Sequence, residues 1–597
     1  MTRQRFLELI LALALLVALT WPAFAMTPAG TQAEGTLRSA EATARDYSVV
    51  EKQNAIAYAG WWSGDYSQPA ADLALARLAD TGANWISLLA TGYQDNIGST
   101  TIYTNTATPT DADLIHVITE AHSLGLQVML KPHLDLWDDP DHWRGEIGDA
   151  FSSEAEWAAW FAAYQDFIWH YAELAEAHGA DQFAVGTELV GTTQREADWR
   201  AVIAGVRSRY SGPIVYAANH SGEETSITWW DAVDLIGVDA YYPLTGVDNP
   251  TVAELIAGWA PHVATLSNLA NQWPAKSIIL TEIGYRSQDG ANRHPWDWWS
   301  GGAIDLQEQA DAYQAAFESL YDQPWFAGMY WWDWETDPFQ GGPCDDGYTP
   351  YDKPAEDVVR AWYGAPPRPV PLPMLPDESQ TRPIYSDGLE AGWQDWSWSA
   401  TRDLAATDQV YSGTQAISVT LGAWAGLSLW HEALDTGPYY WLEFHVRGAS
   451  PGGQRLSAFL HDEQGAELLK RPVDDCRYIE DGAINAGTWK RVRISLQHLN
   501  ASGRPVTRVN LQDRSGQAGT AFWVDELRLV AARPCPDFDA SELVDLDDIQ
   551  ATAARWGADS GDPGWDARFD LDGDGDVDVI DVMRVAAAWQ TWCPPPG

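Results

Sequence analysis

Between residues 55 and 362, short apolar runs of β character alternate with longer segments of helical periodicity, and this alternation leaves few folds open. The strand-like runs are Ala55–Gly60, Trp85–Leu89, Gln127–His133, a fourth ending at Glu188, Pro213–Ala217, Leu235–Tyr241, a seventh ending at Glu282, and Phe326–Trp332. Helix-like segments fall at Ala70–Thr81, Asp111–Leu124, Glu154–His178, Glu196–Tyr210, Val252–Gln272, Leu306–Tyr321 and Ala355–Trp362. Buried strands that are each returned by a crossover predict a parallel sheet closed into a (β/α)8 TIM barrel over residues 48–364.

In such a barrel the chemistry sits at the C-terminal ends of the strands. Two runs end abruptly on carboxylates there: Asp181-Gln-Phe-Ala-Val-Gly-Thr-Glu188 and, 94 residues later, the Glu282 of Ser277-Ile-Ile-Leu-Thr-Glu-Ile-Gly-Tyr285. A lone Glu at a strand end can simply cap the strand or pair with an Arg. Two of them in one alternating pattern fit the carboxyl pair of a retaining glycoside hydrolase, in which one group donates a proton and the other attacks the anomeric carbon from about 5 Å away. No Gly-x-Ser-x-Gly elbow occurs in the alternating barrel region and no Gly-x-Gly-x-x-Gly loop in the chain, so serine-hydrolase and dinucleotide chemistry have no support there.

The layout resembles clan A of the retaining glycoside hydrolases, whose acid/base follows strand four and whose nucleophile follows strand seven. By that resemblance Glu188 is the acid/base and Glu282 the nucleophile. Within the clan, Lys131-Pro-His133, Val185-Gly-Thr-Glu188, Thr281-Glu-Ile-Gly-Tyr285 and Tyr330-Trp-Trp-Asp-Trp334 resemble family 113, the β-mannanase-type barrels. Thr187 stands where many clan members carry the Asn that bonds the sugar 2-hydroxyl. The other strand ends supply candidate sugar contacts: Trp61, Lys131, His133, Asn219, His220, Trp332 and Trp334, with Tyr241 or Tyr242 in the place of the clan's strand-six Tyr. Asp239 and Asp333 rank as supporting acids. The expected activity is therefore endo-β-1,4-mannanase-like. The alternatives are another β-linked glycan (galactan, glucan or xylan) or a non-catalytic polysaccharide-binding surface protein.

Composition agrees with this reading. A net charge of −49 argues against a nucleic-acid partner, and 34 Trp supply flat faces of the kind that stack on pyranose rings. Residues 1–25 read as a secretory signal: Arg3 and Arg5 precede an apolar run from Leu9 to Trp21, and Ala23-Phe-Ala25 is a cleavage pattern. The mature chain is expected to begin near Met26, with a disordered lead-in to residue 47, and to work outside the cell without a transmembrane segment.

Beyond the barrel, residues 365–381 read as a stiff Pro-rich linker. Residues 382–533 then alternate with period two and predict an antiparallel sandwich or jelly roll. Its opening, Ile384–Trp398, and its close, Trp523-Val-Asp-Glu-Leu, resemble galactose-binding-like carbohydrate-binding modules, with Trp396, Trp398, Trp424 and Trp430 as a candidate platform. A purely structural spacer is the competing reading. Residues 534–597 hold a repeat of period 33, each half an acidic loop followed by a short apolar helix. Asp570, Asp572, Asp574, Asp576, Asp578 and Asp581 occupy positions 1, 3, 5, 7, 9 and 12 of an EF-hand calcium loop, with Gly575 at position 6. Position 7 ligates through its carbonyl, so the Asp576 side chain is incidental. Asp537, Asp539, Ser541, Asp545 and Asp548 sit in register in the first loop, where Glu542 replaces the glycine. The pair of loop-helix repeats resembles dockerins and so implies structural Ca²⁺ and a cohesin-like scaffold or cell-surface partner. The recognition positions, Leu546-Asp547 and Val579-Ile580, depart from the usual Ser-Thr and favour calcium over cohesin. Cys535 and Cys593 can clasp the module, whereas the state of Cys344 and Cys476 is not legible.

Overall fold

The computed structural model describes residues 52–368, 372–539, 541, 543–562, 565–571, 574–591 and 593. The signal segment, the lead-in, Glu542 and Asp572 lie outside them. Eight parallel strands close into a barrel in sequence order: β1 Gln53–Ala59, β2 Trp85–Gln94, β3 Gln127–Leu136, β4 Gln182–Thr187, β5 Ile214–Asn219, β6 Leu235–Asp239, β7 Ile278–Ile283 and β8 Phe326–Glu335, with β8 pairing back onto β1. The helices are α1 Pro69–Asp80, α2 Asp111–Ser123, α3 Glu154–His178, α4 Glu196–Arg207, a single turn α5 Glu223–Ser226, α6 Val252–Gln272, α7 Leu306–Leu320 and α8 Pro354–Tyr363. Their starts follow from local chemistry. Thr110 with Asp113, Ser153 with Glu156 and Thr251 with Glu254 form capping boxes that satisfy the first free amides of α2, α3 and α6. No described helix is long and apolar enough to cross a membrane.

Period-two alternation points one side of each strand into the barrel. At its lower end Ala55, Trp85, Met129, Ala184, Val215, Ile279, Ala327 and Tyr330 pack together. Below them, Gln53 joins Gln182 and the Tyr330 hydroxyl. Higher on the same faces the inward residues turn polar. On β3, Met129 gives way to Lys131 and His133. The barrel is thus plugged by apolar packing below and left to chemistry above. The opposite strand faces and the helices enclose a larger core containing Trp160, Trp199, Trp229, Trp259 and Trp331, which accounts for much of the tryptophan content.

The remaining strands form an antiparallel sheet: β9 Met374–Tyr385, β10 Gln394–Asp395, β11 Trp398–Ala406, β12 Ala416–Asp435, β13 Trp441–Gly448, β14 Leu456–Asp462, β15 Arg471–Pro472, β16 Lys490–Ser495, β17 Pro505–Asp513 and β18 Phe522–Pro534. The long β12 passes from pairing with β18 at its start to pairing with β17 further on, so it carries the chain between two halves of the sheet. Its side chains share one apolar core with β13, β14, β16 and β18. The sheet starts earlier than the sequence suggests, because β9 begins inside the Pro-rich segment. Pro376 and Pro383 are tolerated since β9 pairs only with β18 and is an edge strand.

The loop after β8 is fastened to this sheet. Arg471 grips Asp337, the Arg477 guanidinium donates to the Phe339 carbonyl at 2.9 Å, His498 packs on Phe339, and Cys344 is disulfide-bonded to Cys476. Cutting that bond with Cys344→Ser should lower stability by about 2–4 kcal/mol, read as an earlier thermal midpoint. Unchanged unfolding would show that the ion pairs suffice. The C-terminal repeats place α9 Leu546–Ala553 beside α10 Val579–Ala587. Their small core consists of Val544, Val585, Ala588 and the Cys535–Cys593 disulfide, covered partly by Leu375.

Candidate active site

Glu188 follows β4 with φ at 54°, in the left-handed region that a non-glycine residue enters at a cost of about 1–3 kcal/mol. This turn lifts the carboxyl out of the strand's alternation and into the mouth. Its Oε1 accepts from Asn219 Nδ2 at 2.7 Å, and its Oε2 lies 3.9 Å from Arg144 Nη1. Burial raises the Glu188 pKa, the Arg144 charge opposes the rise, and the Glu282 charge adds to it. The two carboxyl groups therefore lie within each other's field, and Glu188 is biased toward holding a proton.

Glu282 is 5% exposed. Lys131 Nζ donates to its Oε1 at 2.5 Å and the Tyr241 hydroxyl to its Oε2 at 2.7 Å. Lys131 is fully buried and also meets Asp239 at 3.1 and 3.3 Å, while Thr281 Oγ1 donates to the same Asp239 at 2.7 Å. Burial works to lower the Lys131 pKa, but the facing carboxylates of Asp239 and Glu282 raise it above its ordinary value. Lys131→Met would strand two buried carboxylates. It should cost about 3–5 kcal/mol of stability, measured by denaturant midpoints, and a loss below 1 kcal/mol would contradict the pairing.

Of the remaining candidates, His133 is 3% exposed and its Nδ1 receives Arg144 Nη1 at 3.0 Å. That bond leaves the ring proton on Nε2, which faces Glu282 Oε1 at 3.6 Å without a hydrogen-bond partner among the described residues. Burial, and then the charges of Arg144 and Lys131, push the His133 pKa well below normal, so the ring is a neutral donor. Trp332 stands parallel to His133 at 6.2 Å and beside the half-exposed Trp61 at 6.1 Å, giving the mouth an aromatic wall. Thr187 is buried and its hydroxyl has no partner among the described residues. His220 follows Asn219 and stands 5.3 Å from Trp296, and burial lowers its pKa to about 4.

Two expectations need correction. Tyr242 turns away from Glu282: its hydroxyl reaches Glu224 at 3.3 Å and its ring stacks on His262, so the strand-six tyrosine is Tyr241. Trp334 is not at the mouth, because it is 2% exposed and packs against Tyr351. The cause is a register shift between β1 and β8: Ile56 pairs with Trp331 but Tyr58 pairs with Trp334, which reverses the facing of the strand between Trp332 and Trp334.

Arg144 is not legible in the sequence. It bonds Asp135 at 3.0 Å and bridges His133 to the field of Glu188, yet in sequence it is one charge in the long loop after β3. In the tail, oxygens of Asp537, Asp539 and Asp548 lie within 4.8 Å of one another, and so do those of Asp539, Asp545 and Asp547. Asp537 also receives the Ser541 amide, whose hydroxyl bonds the Leu543 carbonyl at 3.0 Å. In the second loop, Asp570 accepts from the amides of Asp574 and Gly575, Gly575 has φ of 95°, and Asp574 accepts from the Asp576 amide. Asp578 caps α10. Asp548 and Asp581 each bond two backbone amides in matching fashion.

The sequence profile of Glycoside Hydrolase Family 113 matches residues 58–353. A solved GH113 β-1,4-mannanase is 31% identical, with a TM-score of 0.48, over 53% of this chain and 100% of its own. The GH113 β-mannanase of Alicyclobacillus acidocaldarius is 34% identical, with a TM-score of 0.47, over 53% of this chain and 97% of its own. An endoglucanase of Dictyostelium discoideum is 30% identical over 148 residues, 24% of this chain and only 20% of that protein's length. The identity to two family 113 chains over almost their whole lengths, with a family profile spanning the barrel, carries the assignment: this chain belongs to glycoside hydrolase family 113.

Proposed function

We propose that the chain is a retaining β-glycoside hydrolase that cuts a β-mannan-type polysaccharide internally, in the manner of an endo-β-1,4-mannanase. The observation that carries the mechanism is Glu282 held between the Lys131 ammonium and the Tyr241 hydroxyl, in the field of a Glu188 biased toward protonation. Glu188 gives its proton to the departing glycosidic oxygen while Glu282 attacks the anomeric carbon. A covalent glycosyl-enzyme forms, and Glu188, now ionised, takes a proton from the water that releases it. The neutral His133 Nε2–H and the Trp332 face are positioned to receive the sugar held between the two carboxyls.

The test is a panel of β-mannan, galactan, glucan and xylan, with reducing ends counted and the first-formed anomer read by proton NMR. Mannan cleavage with β-anomer appearing first is the expected result. Turnover of another glycan alone moves the substrate but keeps the mechanism, and α-anomer first overturns it. Binding without any turnover would favour the polysaccharide-binding alternative.

The rest of the chain is read in the same terms. The antiparallel sheet is proposed as an accessory carbohydrate-binding domain. Trp396, between β10 and β11, stacks on Trp430 of β12, and Trp424 is 60% exposed. The tail is proposed as a dockerin-like, calcium-stabilised module. The first loop's converging carboxylates suit a hard, oxygen-seeking cation, and Leu546, Val579, Ile580 and Met583 present exposed apolar side chains to a cohesin-like partner. Calcium at 100 times its dissociation constant would stabilise the tail by about 2.7 kcal/mol. A calorimetric transition that ignores both Ca²⁺ and chelator would remove the ion from the account. Secretion rests on the pattern of residues 1–25, and N-terminal sequencing of extracellular protein should start near Met26.

A further inference from the structure

Beneath Glu188 lies a closed ring of hydrogen bonds that reaches it from both sides. On the backbone side, the Leu189 amide donates to the Tyr216 hydroxyl at 3.0 Å, and that hydroxyl donates to Glu223 Oε1 at 2.6 Å. On the other side, the Asn219 amide N–H donates to Glu223 Oε2 at 2.6 Å, and Asn219 Nδ2 donates to the Glu188 carboxyl at 2.7 Å. The Ser221 amide donates to Asn219 Oδ1 at 2.9 Å, which fixes the Asn219 amide with its NH₂ toward Glu188. Tyr216, Glu223 and Leu189 are 0%, 2% and 1% exposed, and no ion pair to Glu223 occurs among the described residues.

We propose that Glu223 is a positioning residue for the acid/base. One buried carboxyl holds both the strained turn that presents Glu188 and the amide that grips its side chain. This rests on the hydrolase reading above. The physical argument is one of cost. A carboxyl buried without a cation is unfavourable, so burial raises Glu223 to about 8 even though the Tyr216 and Asn219 bonds work to lower it, with Glu188 and Asp239 adding to the rise. The left-handed backbone of Glu188 is also unfavourable, and it persists only where its surroundings over-determine it. A merely structural side chain need not reach both the peptide after Glu188 and the residue bonded to its carboxyl. Glu223 reaches the first through the Tyr216 hydroxyl on one oxygen and holds the Asn219 backbone amide directly on the other.

The experiment compares the full chain with Glu223→Ala, Tyr216→Phe and Glu223→Gln on two β-mannobiosides that differ only in the leaving group. Methanol needs a proton to depart, whereas 2,4-dinitrophenolate does not. For Glu223→Ala and Tyr216→Phe, kcat/KM on the methyl glycoside should fall on the order of 10²-fold, toward the size of a general-acid contribution. The dinitrophenyl glycoside should change less than about 3-fold, because its departure does not use that acid. Glu223→Gln, which keeps one acceptor oxygen, should recover part of the loss. Equal losses on both substrates, tracking lowered thermal midpoints, would overturn the proposal.

A second readout needs no turnover. In ¹³C-Glu-labelled protein, with the Glu188 resonance assigned by its loss in Glu188→Gln, the Glu188 titration should move upward in the two ring-cutting variants, because the Asn219 bond that lowers it is loosened. The charged groups acting on Glu188 there are Arg144, Lys131 and Glu282, and those acting on Glu223 are Glu188 and Asp239, with Tyr216 acting through its hydrogen bond. None but the mutated group changes between samples. An unmoved titration counts against the ring. A wild-type chain inert toward both glycosides counts against the hydrolase reading instead, and the titration then decides the ring by itself.

Discussion

Glu282→Gln is expected to leave a folded barrel whose turnover of polysaccharide has dropped on the order of 10⁶-fold, the scale on which removing an attacking side chain acts in other double-displacement enzymes. The amide keeps the volume of the buried group and still accepts from Lys131, so folding is spared. It cannot form the covalent ester. The wild-type chain offered a 2-deoxy-2-fluoro glycoside with a good leaving group should gain the mass of one sugar, and peptide mapping should place that sugar on Glu282. A label on Glu188 or Asp239 would reverse the assignment of roles.

Glu188→Gln is the second large effect, a loss of about 10²–10⁴-fold on substrates whose leaving group needs a proton. Azide, which needs no base, should restore release of the glycosyl-enzyme and give a β-glycosyl azide. The pH dependence has a definite sign. The protonated carboxyl is the donor, and burial together with the Glu282 charge raises its pKa. Activity should therefore fall as pH rises through that raised pKa, with the useful range extending above the ordinary glutamate value. In Glu188→Gln this basic limb should vanish. A limb that survives the substitution would belong to another group, and Glu188 would lose its role as acid.

Much of this site was legible in the chain. A short apolar run that stops on a carboxylate has little freedom: inside a parallel sheet its end must emerge at the catalytic rim. Lys131 and His133 were readable for the same reason, since they continue the inward face of Met129 at every second residue of β3. The sequence does not choose between Tyr241 and Tyr242. Alternation from Asp239 favours Tyr241, but that argument needs β6 to hold its facing beyond its last paired residue, and only the Tyr241–Glu282 bond shows that it does. Trp334 failed because the strand does not keep its alternation. Two residues of β8 fall between partners of β1 where one would preserve it, and no local pattern announces such a bulge. Arg144 comes from a loop, and Asn219's grip on Glu188 and the Glu223–Tyr216 ring join the end of β4 to β5 and the turn after it, contacts that no local periodicity announces.

The sequence by itself determined the eight strands, the two strand-ending glutamates, the antiparallel second region and the repeated acidic tail, because each follows from periodicity or spacing within a few neighbouring residues. The tertiary structure alone decided which side chains the carboxyls meet: Lys131 and Tyr241 for one, Asn219 and Arg144 for the other. Proton affinity depends on charges and burial within a few ångströms, and those neighbours are brought together only when the barrel closes.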